Sequence, residues 1–186
     1  MSLQVAKHFF TVEQFERMGE AGILTEDARF ELIEGEILEM APIGSRHAGC
    51  VLFLSRFLNR AVGDIAFVST QNPIQLDDFT QPQPDVALLR LSDDFYRSSH
   101  PKPQDVLLLI EVADTTVDYD RLVKLPLYAK AGIPEVWIIN LPAELIEIYS
   151  APNEGAYGTL AEVKRSEQAQ SQTISSLSIP ADMILG

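Results

Sequence analysis

A chain of 186 residues with 46% hydrophobic side chains can bury a substantial core, and it is too apolar to be disordered or fibrous. Its formal net charge of -13, from 27 acidic against 14 basic residues, excludes long-range attraction to nucleic acid or anionic lipid, so contact with phosphates has to be local, through a basic patch or a bridging metal. A single cysteine, Cys50, excludes an intramolecular disulfide framework.

Thr11-Val12-Glu13-Gln14 is a capping-box pattern, opening a short helix to about Gly19. Arg29 to Met40 reads as a hairpin, with Phe30, Leu32, Ile37 and Met40 apolar and Glu34-Gly35 at the tight turn. Ser45 to Val62 reads as a longer helix. Val51, Leu54, Phe57, Leu58 and Ala61 recur at spacings of three and four along one stripe, and Gly63 suits a left-handed cap. Cys50 lies among apolar residues there and reads as a small buried hydrophobe rather than a nucleophile.

Three strand-like runs follow, Ile65 to Leu76, Asp85 to Leu91 and Asp105 to Val112. The last two are almost continuously apolar, so both of their faces should be covered. Gln81-Pro82-Gln83-Pro84 holds the chain extended before the second run. Residues 92–104, polar and carrying Pro101 and Pro103, read as a mobile loop.

A helix is expected from about Asp118 to Ala131, stopped by Gly132 and Pro134. Pro126 within it predicts a kink or a later start. Val136-Trp137-Ile138-Ile139 is the next strand. The strand–helix–strand order implies two parallel strands joined by a crossover. Leu145 to Tyr149 should pair with it across Leu141-Pro142-Ala143, and Tyr157 to Val163 is strand-like. Arg165 to Thr173 is rich in Gln and Ser and reads as a loop. The whole order describes one α/β or α+β domain with a mixed sheet, its core at about 10–150 and a C-terminal strand and tail at 151–186.

The chemistry rests on Asp85, Glu111 and Lys124. Asp85 opens one buried strand; alone, it would be a common turn-flanking acid. Glu111 closes a run of five aliphatic residues, and a glutamate is seldom buried unless it is paired or holds a metal. Asp120, Lys124 and Tyr128 stand four residues apart and share one face of a regular helix directly after that strand. Lys124 can therefore reach back over the strand end, or form an ion pair with Asp120. Two carboxylates suit a hard cation such as Mg²⁺ or Mn²⁺, which keeps water for attack, while a nearby ammonium steadies the developing anion. Glu31 and His47 are further candidate ligands or proton carriers. Their competing readings are an exposed hairpin residue and a polar residue at a helix start.

Phe30-Glu31-Leu32-Ile33-Glu34-Gly35-Glu36-Ile37, Pro84-Asp85-Val86-Ala87, Glu111-Val112 and the stretch from Asp120 to Ile138 together resemble the Uma2 family of restriction-endonuclease-like proteins, in the PD-(D/E)XK nuclease superfamily. The resemblance spans about residues 10 to 150. It implies a restriction-endonuclease-like core, a mixed sheet flanked by helices, with Asp85 and Glu111 as metal ligands. The superfamily pattern has a lysine two residues after the second acid, where this chain has Ala113; Lys124 resembles a migrated replacement.

The reading is a Mg²⁺-dependent endonuclease hydrolysing DNA phosphodiester bonds. Asp85, Glu111 and Lys124 are its catalytic set, and Glu31, His47, Asp120 and Tyr128 are accessory candidates. The alternative is an inactive nuclease-fold module that binds a protein or nucleic-acid partner, favoured by the acidic charge and the absent lysine at 113. Two strands to cut favour a homodimer. Met1 to His8 carries no leader pattern and no run approaches the about 20 apolar residues of a membrane span, so a cytoplasmic location is expected.

Overall fold

The structure, a computed structural model, describes residues 6–25 and 28–186. The stretch on which the leader reading rests lies partly outside the described residues. Helix α1 (Val12–Glu20) is opened by the capping box, with Thr11 Oγ1 accepting from Gln14 N and the Gln14 side chain accepting from Thr11 N. Strands β1 (Phe30–Ile33) and β2 (Glu36–Glu39) form the hairpin. Its turn residues Glu34 and Gly35 have φ of 47° and 80°, the double left-handed geometry of a two-residue hairpin. The hairpin docks on the body by backbone exchange: Gln81 N donates to Leu32 O at 2.7 Å and Leu32 N to Gln81 O at 3.3 Å.

Helix α2 (Ser45–Val62) buries Cys50, Val51, Leu54, Leu58 and Val62; of the stripe its spacing predicts, Phe57 is only half-buried and Ala61 is exposed, and Cys50 and Val62 complete the buried face. Six strands make the main sheet in the order β3 (Phe67–Thr70), β4 (Val86–Leu89), β5 (Val106–Ala113), β6 (Glu135–Asn140), β7 (Leu145–Asn153) and β8 (Ala156–Val163). Only β5 and β6 are parallel. Their crossover is the helical stretch α3 (Val117–Tyr119), a π-helical turn (Asp120–Lys124) and α4 (Leu125–Lys130). The sheet is thus covered on one face by α2 and the C-terminal helix α5 (Ala181–Leu185), and on the other by α4.

Several boundaries differ from expectation. The run from Ile65 to Leu76 is strand only at Phe67–Thr70, because Ile65 N is spent on the C-terminal turn of α2 and Pro73 breaks the ladder. The 92–104 segment is tied to itself: Asp94 accepts from Ser92, Ser98 and the Tyr96 N–H, and Tyr96 OH donates to Arg90 O. Within the expected loop at 165–173, β9 (Gln168–Gln170) pairs with β10 (Ser178–Pro180), and Ala169 between two exposed glutamines is fully buried. Pro126 neither ends nor delays the crossover helix. The wide turn just before it absorbs the missing donor.

Residues 156–185 contribute Val163, Ala169, Ile174, Leu177, Ile179, Ala181, Ile184 and Leu185 to the same core as α2 and the sheet. Glu135 ties this region down. It is fully buried at the start of β6 and accepts from Trp137 Nε1, Ser171 Oγ, Thr173 Oγ1 and the N–H groups of Gln172 and Thr173.

Candidate active site

The β4–β5 ladder decides where the two acids sit. It pairs Val86 with Ile110, so Asp85 and Glu111 are neighbours one step beyond the last pair. The Val112 N–H donates to Asp85 Oδ2 at 2.9 Å, closing that end of the ladder. Strand alternation gives Glu111 the same face as Leu109 and Ala113, which pack in the cluster that also contains Tyr128 of α4. The crossover helix therefore lies over Glu111.

Lys124 reaches this acid. Its Nζ is 2.8 Å from Glu31 Oε1 and 3.3 Å from Glu111 Oε1. Tyr128 OH donates to the same Glu111 oxygen at 2.6 Å. Glu31 Oε1 also accepts from Gln83 N at 2.7 Å, so the hairpin glutamate is fixed by the extended proline segment. His47 Nε2 lies 3.0 Å from Asp85 Oδ2, and Gln71 Nε2 donates to Asp85 Oδ1 at 3.2 Å. Gln71 has φ of 53°, a strained value that bends the chain toward this contact. Asp120 accepts from Thr116 Oγ1 at 2.9 Å; an ion pair with Lys124 is not formed among the described residues.

Glu31, Asp85, Glu111, Asp120 and Lys124 are each at most 6% exposed. The exposed-hairpin reading of Glu31 is thereby corrected, and His47 turns inward to Asp85 rather than only marking a helix start. Together with His47 they line one cavity of about 520 Å³. Tyr128 stands behind it, touching the cavity only through Glu111. Asp120, Lys124 and Tyr128 do share a face, but the helix between the first two is a π turn rather than regular. Gln71, Gln83, Thr116 and Tyr119 were not legible as site residues. Only the enclosure of Gln83 between two prolines, and the place of Tyr119 beside Asp120, set them apart in the sequence.

Burial dominates the electrostatics. It pushes the Glu111 carboxyl up, from an ordinary 4.5 to about 8; Lys124 opposes this, while Asp120, Asp85 and Glu31 reinforce it. Burial alone would lower Lys124, but Glu111, Glu31 and Asp120 outweigh it and hold the ammonium well above its ordinary range. Burial would raise Asp85, yet His47, the Val112 N–H and Gln71 together bring it below the usual carboxylate value. Asp120 is raised, first by burial. Six carboxylates, those of Glu31, Glu39, Asp85, Glu111, Asp114 and Asp120, thus line the cavity against the two cations Arg29 and Lys124, a charge imbalance that a hard divalent cation would relieve. The donors fit that ion: Asp85 is held ionised, and Glu111 Oε2 has no hydrogen-bond partner among the described residues. Among the described residues no three His, Cys, Asp or Glu side chains converge as a cage, so the ion would keep much of its water.

The Uma2 family, described as "Putative restriction endonuclease", matches residues 12–182. The chain belongs to the Uma2 family. A solved structure described as a "putative nuclease belonging to DUF820" from Anabaena variabilis ATCC 29413 has a similar fold: TM-score 0.73 at 15% identity, covering 95% of this chain and 97% of that one. The six-stranded mixed sheet with flanking helices is thus a fold it shares with that nuclease-like protein. No curated protein sequence matches the chain significantly. No helix among the described residues is long and apolar enough to cross a membrane.

Proposed function

We propose that this Uma2 protein is a Mg²⁺- or Mn²⁺-dependent endonuclease that hydrolyses DNA phosphodiester bonds. One observation carries the reading: the buried ammonium of Lys124 lies against Glu31 and Glu111, and Glu111 neighbours Asp85 at the end of the same ladder. Asp85 and Glu111 would hold the cation, which lowers the pKa of a bound water and offsets charge on the phosphoryl oxygens. Lys124 stands in for the lysine absent at Ala113; its ammonium is positioned to orient the attacking oxygen and stabilise the pentavalent anion. His47 fixes the Asp85 carboxylate, and Tyr128 fixes Glu111. Glu111 and Glu31, with Asp120 adding to them, keep the ammonium protonated.

The family name and the neighbour's description support DNA as substrate. We further take the protein as a homodimer, the commonest closed assembly of a soluble chain. The lone buried thiol of Cys50 agrees with a cytoplasmic home. A single domain over the full chain is supported by the shared core of residues 156–185.

A second reading is an inactive nuclease fold that binds a partner. It is favoured by the ion pairs that already neutralise Lys124 and by the net charge of -13. Supercoiled and single-stranded circular DNA incubated with Mn²⁺ discriminate the two. Hydrolysis is expected for wild type and not for Asp85→Ala or Lys124→Met. Equal cleavage by all three proteins would expose a contaminant, and silence from wild type, with no heat on Mn²⁺ titration, would leave the binding module.

A further inference from the structure

Resting on the nuclease reading, we infer that the cavity seats one unpaired nucleotide, so that the substrate is single-stranded DNA rather than duplex. Two residues of the cavity wall each carry a buried polar atom that has no hydrogen-bond partner among the described residues, His47 Nδ1 and Tyr119 OH. Buried polar groups are nearly always hydrogen-bonded, and leaving one unmet is costly. Both belong to residues that line the same space as Asp85, Glu111 and Lys124. The Tyr119 ring lies 5.8 Å from Lys124 Nζ, so the residue stands beside the ammonium. Burial raises Tyr119 to about 12, which keeps its O–H a donor. A ligand that offers an acceptor to Tyr119 and a donor or acceptor to His47 would satisfy both.

Beside its other polar residues, Arg29, Glu39, Asp114, Thr115 and Thr116, the wall has an apolar stretch. Strand β2 and the loop after it contribute Ile37, Met40, Pro42 and Ile43. The cavity, at about 520 Å³, lies within the range of about 300–1,000 Å³ that holds a small organic ligand. A nucleotide has the matching parts: a flat apolar body, polar base edges and one phosphate. In a duplex those base edges are paired and stacked, out of reach of a cavity wall. In a single strand they are exposed and free to leave the stack.

Charge points the same way. A duplex is gripped through many phosphates, each neutralised by Lys or Arg. Among the described residues the only such side chains lining this cavity are Arg29 and Lys124, and Lys124 already faces two carboxylates. Arg29 is turned into the wall by Gln83, whose Oε1 accepts from its Nε and Nη2. Cations for one or two phosphates are present, but not a duplex footprint.

The test is fluorescence anisotropy of the whole protein with Ca²⁺, using a fluorescein-labelled oligothymidylate and a hairpin duplex of the same nucleotide count, with probe integrity checked on a gel. The single strand should bind at least about tenfold tighter, with a salt slope near about -1, the value for one or two phosphates. Tyr119→Phe and Ile43→Asp should each weaken the strand by about tenfold or more and leave the melting curve close to wild type, since Ile43 is 41% exposed. Leu52→Asp, 72% exposed on α2 and outside the cavity, should change nothing. Equal affinity for both probes, no affinity for either, or an unaffected Tyr119→Phe would overturn the inference. Strand preference without hydrolysis would instead overturn the catalytic reading and keep this one.

Discussion

Glu111→Gln isolates the energetic cost of ionising a carboxyl in this cavity. The wild-type group titrates at about 8 against an ordinary 4.5, so the folded state holds a proton that the unfolded state has lost. Stability from that proton is fully present below about pH 4.5 and is lost as pH rises through 8. At about 1.36 kcal/mol per pH unit, the interval sets a ceiling of about 5 kcal/mol. Even half of that, at about 2–4 °C per kcal/mol for a chain of this size, moves the melting midpoint by roughly 5–10 °C. Glutamine keeps the Oε1 acceptor for Tyr128 and Lys124 but cannot ionise. Asp120, raised first by burial, loses its share above 3.8 in wild type and variant alike, so it drops out of their difference. Lys124, raised, loses its contribution only above 10.5, and Asp85, lowered, only below 3.8. Urea unfolding with EDTA at pH 5 to 8.5 should therefore show wild type and variant nearly equal at the acid end, with the variant increasingly the more stable toward pH 8.5. Parallel curves would refute the claim that burial holds Glu111 protonated.

Three further outcomes follow from the same contacts. Lys124→Met leaves Glu31 and Glu111 buried without their cation and should cost about 3–5 kcal/mol at pH 7.5, whereas Lys124→Met with Glu31→Gln should recover part of it; a loss below about 1 kcal/mol would contradict the buried pair. Divalent cation at about 100 times its Kd should stabilise wild type by about 2.7 kcal/mol and Asp85→Asn far less, read as a melting shift with Mn²⁺. Glu135→Ala orphans the donors of Trp137, Ser171, Gln172 and Thr173 and should cost about 3 kcal/mol or more while leaving Mn²⁺ stabilisation intact; a stable variant would show that the C-terminal loop docks by apolar contacts alone.

The elements with strong local signals were legible. Thr11-Val12-Glu13-Gln14 and Glu34-Gly35 each specify their own geometry, and the structure repeats them, as it does Val51, Leu54 and Leu58 of the α2 stripe. Asp85 and Glu111 stood out because one opens and the other closes an aliphatic run, and a run of that kind must be buried. What escaped was set by distant contacts. Ala169 and Ile179 form strands in a Gln- and Ser-rich stretch only because each meets the core around α5. Glu31 looks like any hairpin surface residue until the 81–84 segment and Lys124 close over it. Tyr119 and Gln71 carry no periodic signal, and only the cavity gives them a role.

The wide turn at Asp120–Lys124 has two candidate causes, Pro126 and the ion pairs of Lys124, and magnitudes separate them. In a regular helix each step of four residues overshoots a full turn by about 40°, so Asp120 and Tyr128 would drift about 80° apart. A wide turn takes some of that drift back and lets Asp120, Lys124 and Tyr128 all face the sheet, where all three are buried. Pro126→Ala restores a backbone donor worth about 0.5–1.5 kcal/mol and removes the ring clash. Retightening the helix to use that donor would pull at the contacts of Lys124 with Glu31 and Glu111, whose rupture costs about 3–5 kcal/mol. The ion pairs therefore win. Pro126→Ala should keep the wide turn, change stability by no more than about 1 kcal/mol, and retain the Mn²⁺-dependent melting shift. If the variant instead gains about 3 kcal/mol and loses its response to Mn²⁺, the proline made the turn, and the placement of Lys124 over the two acids is a by-product of a helix defect rather than of the site itself.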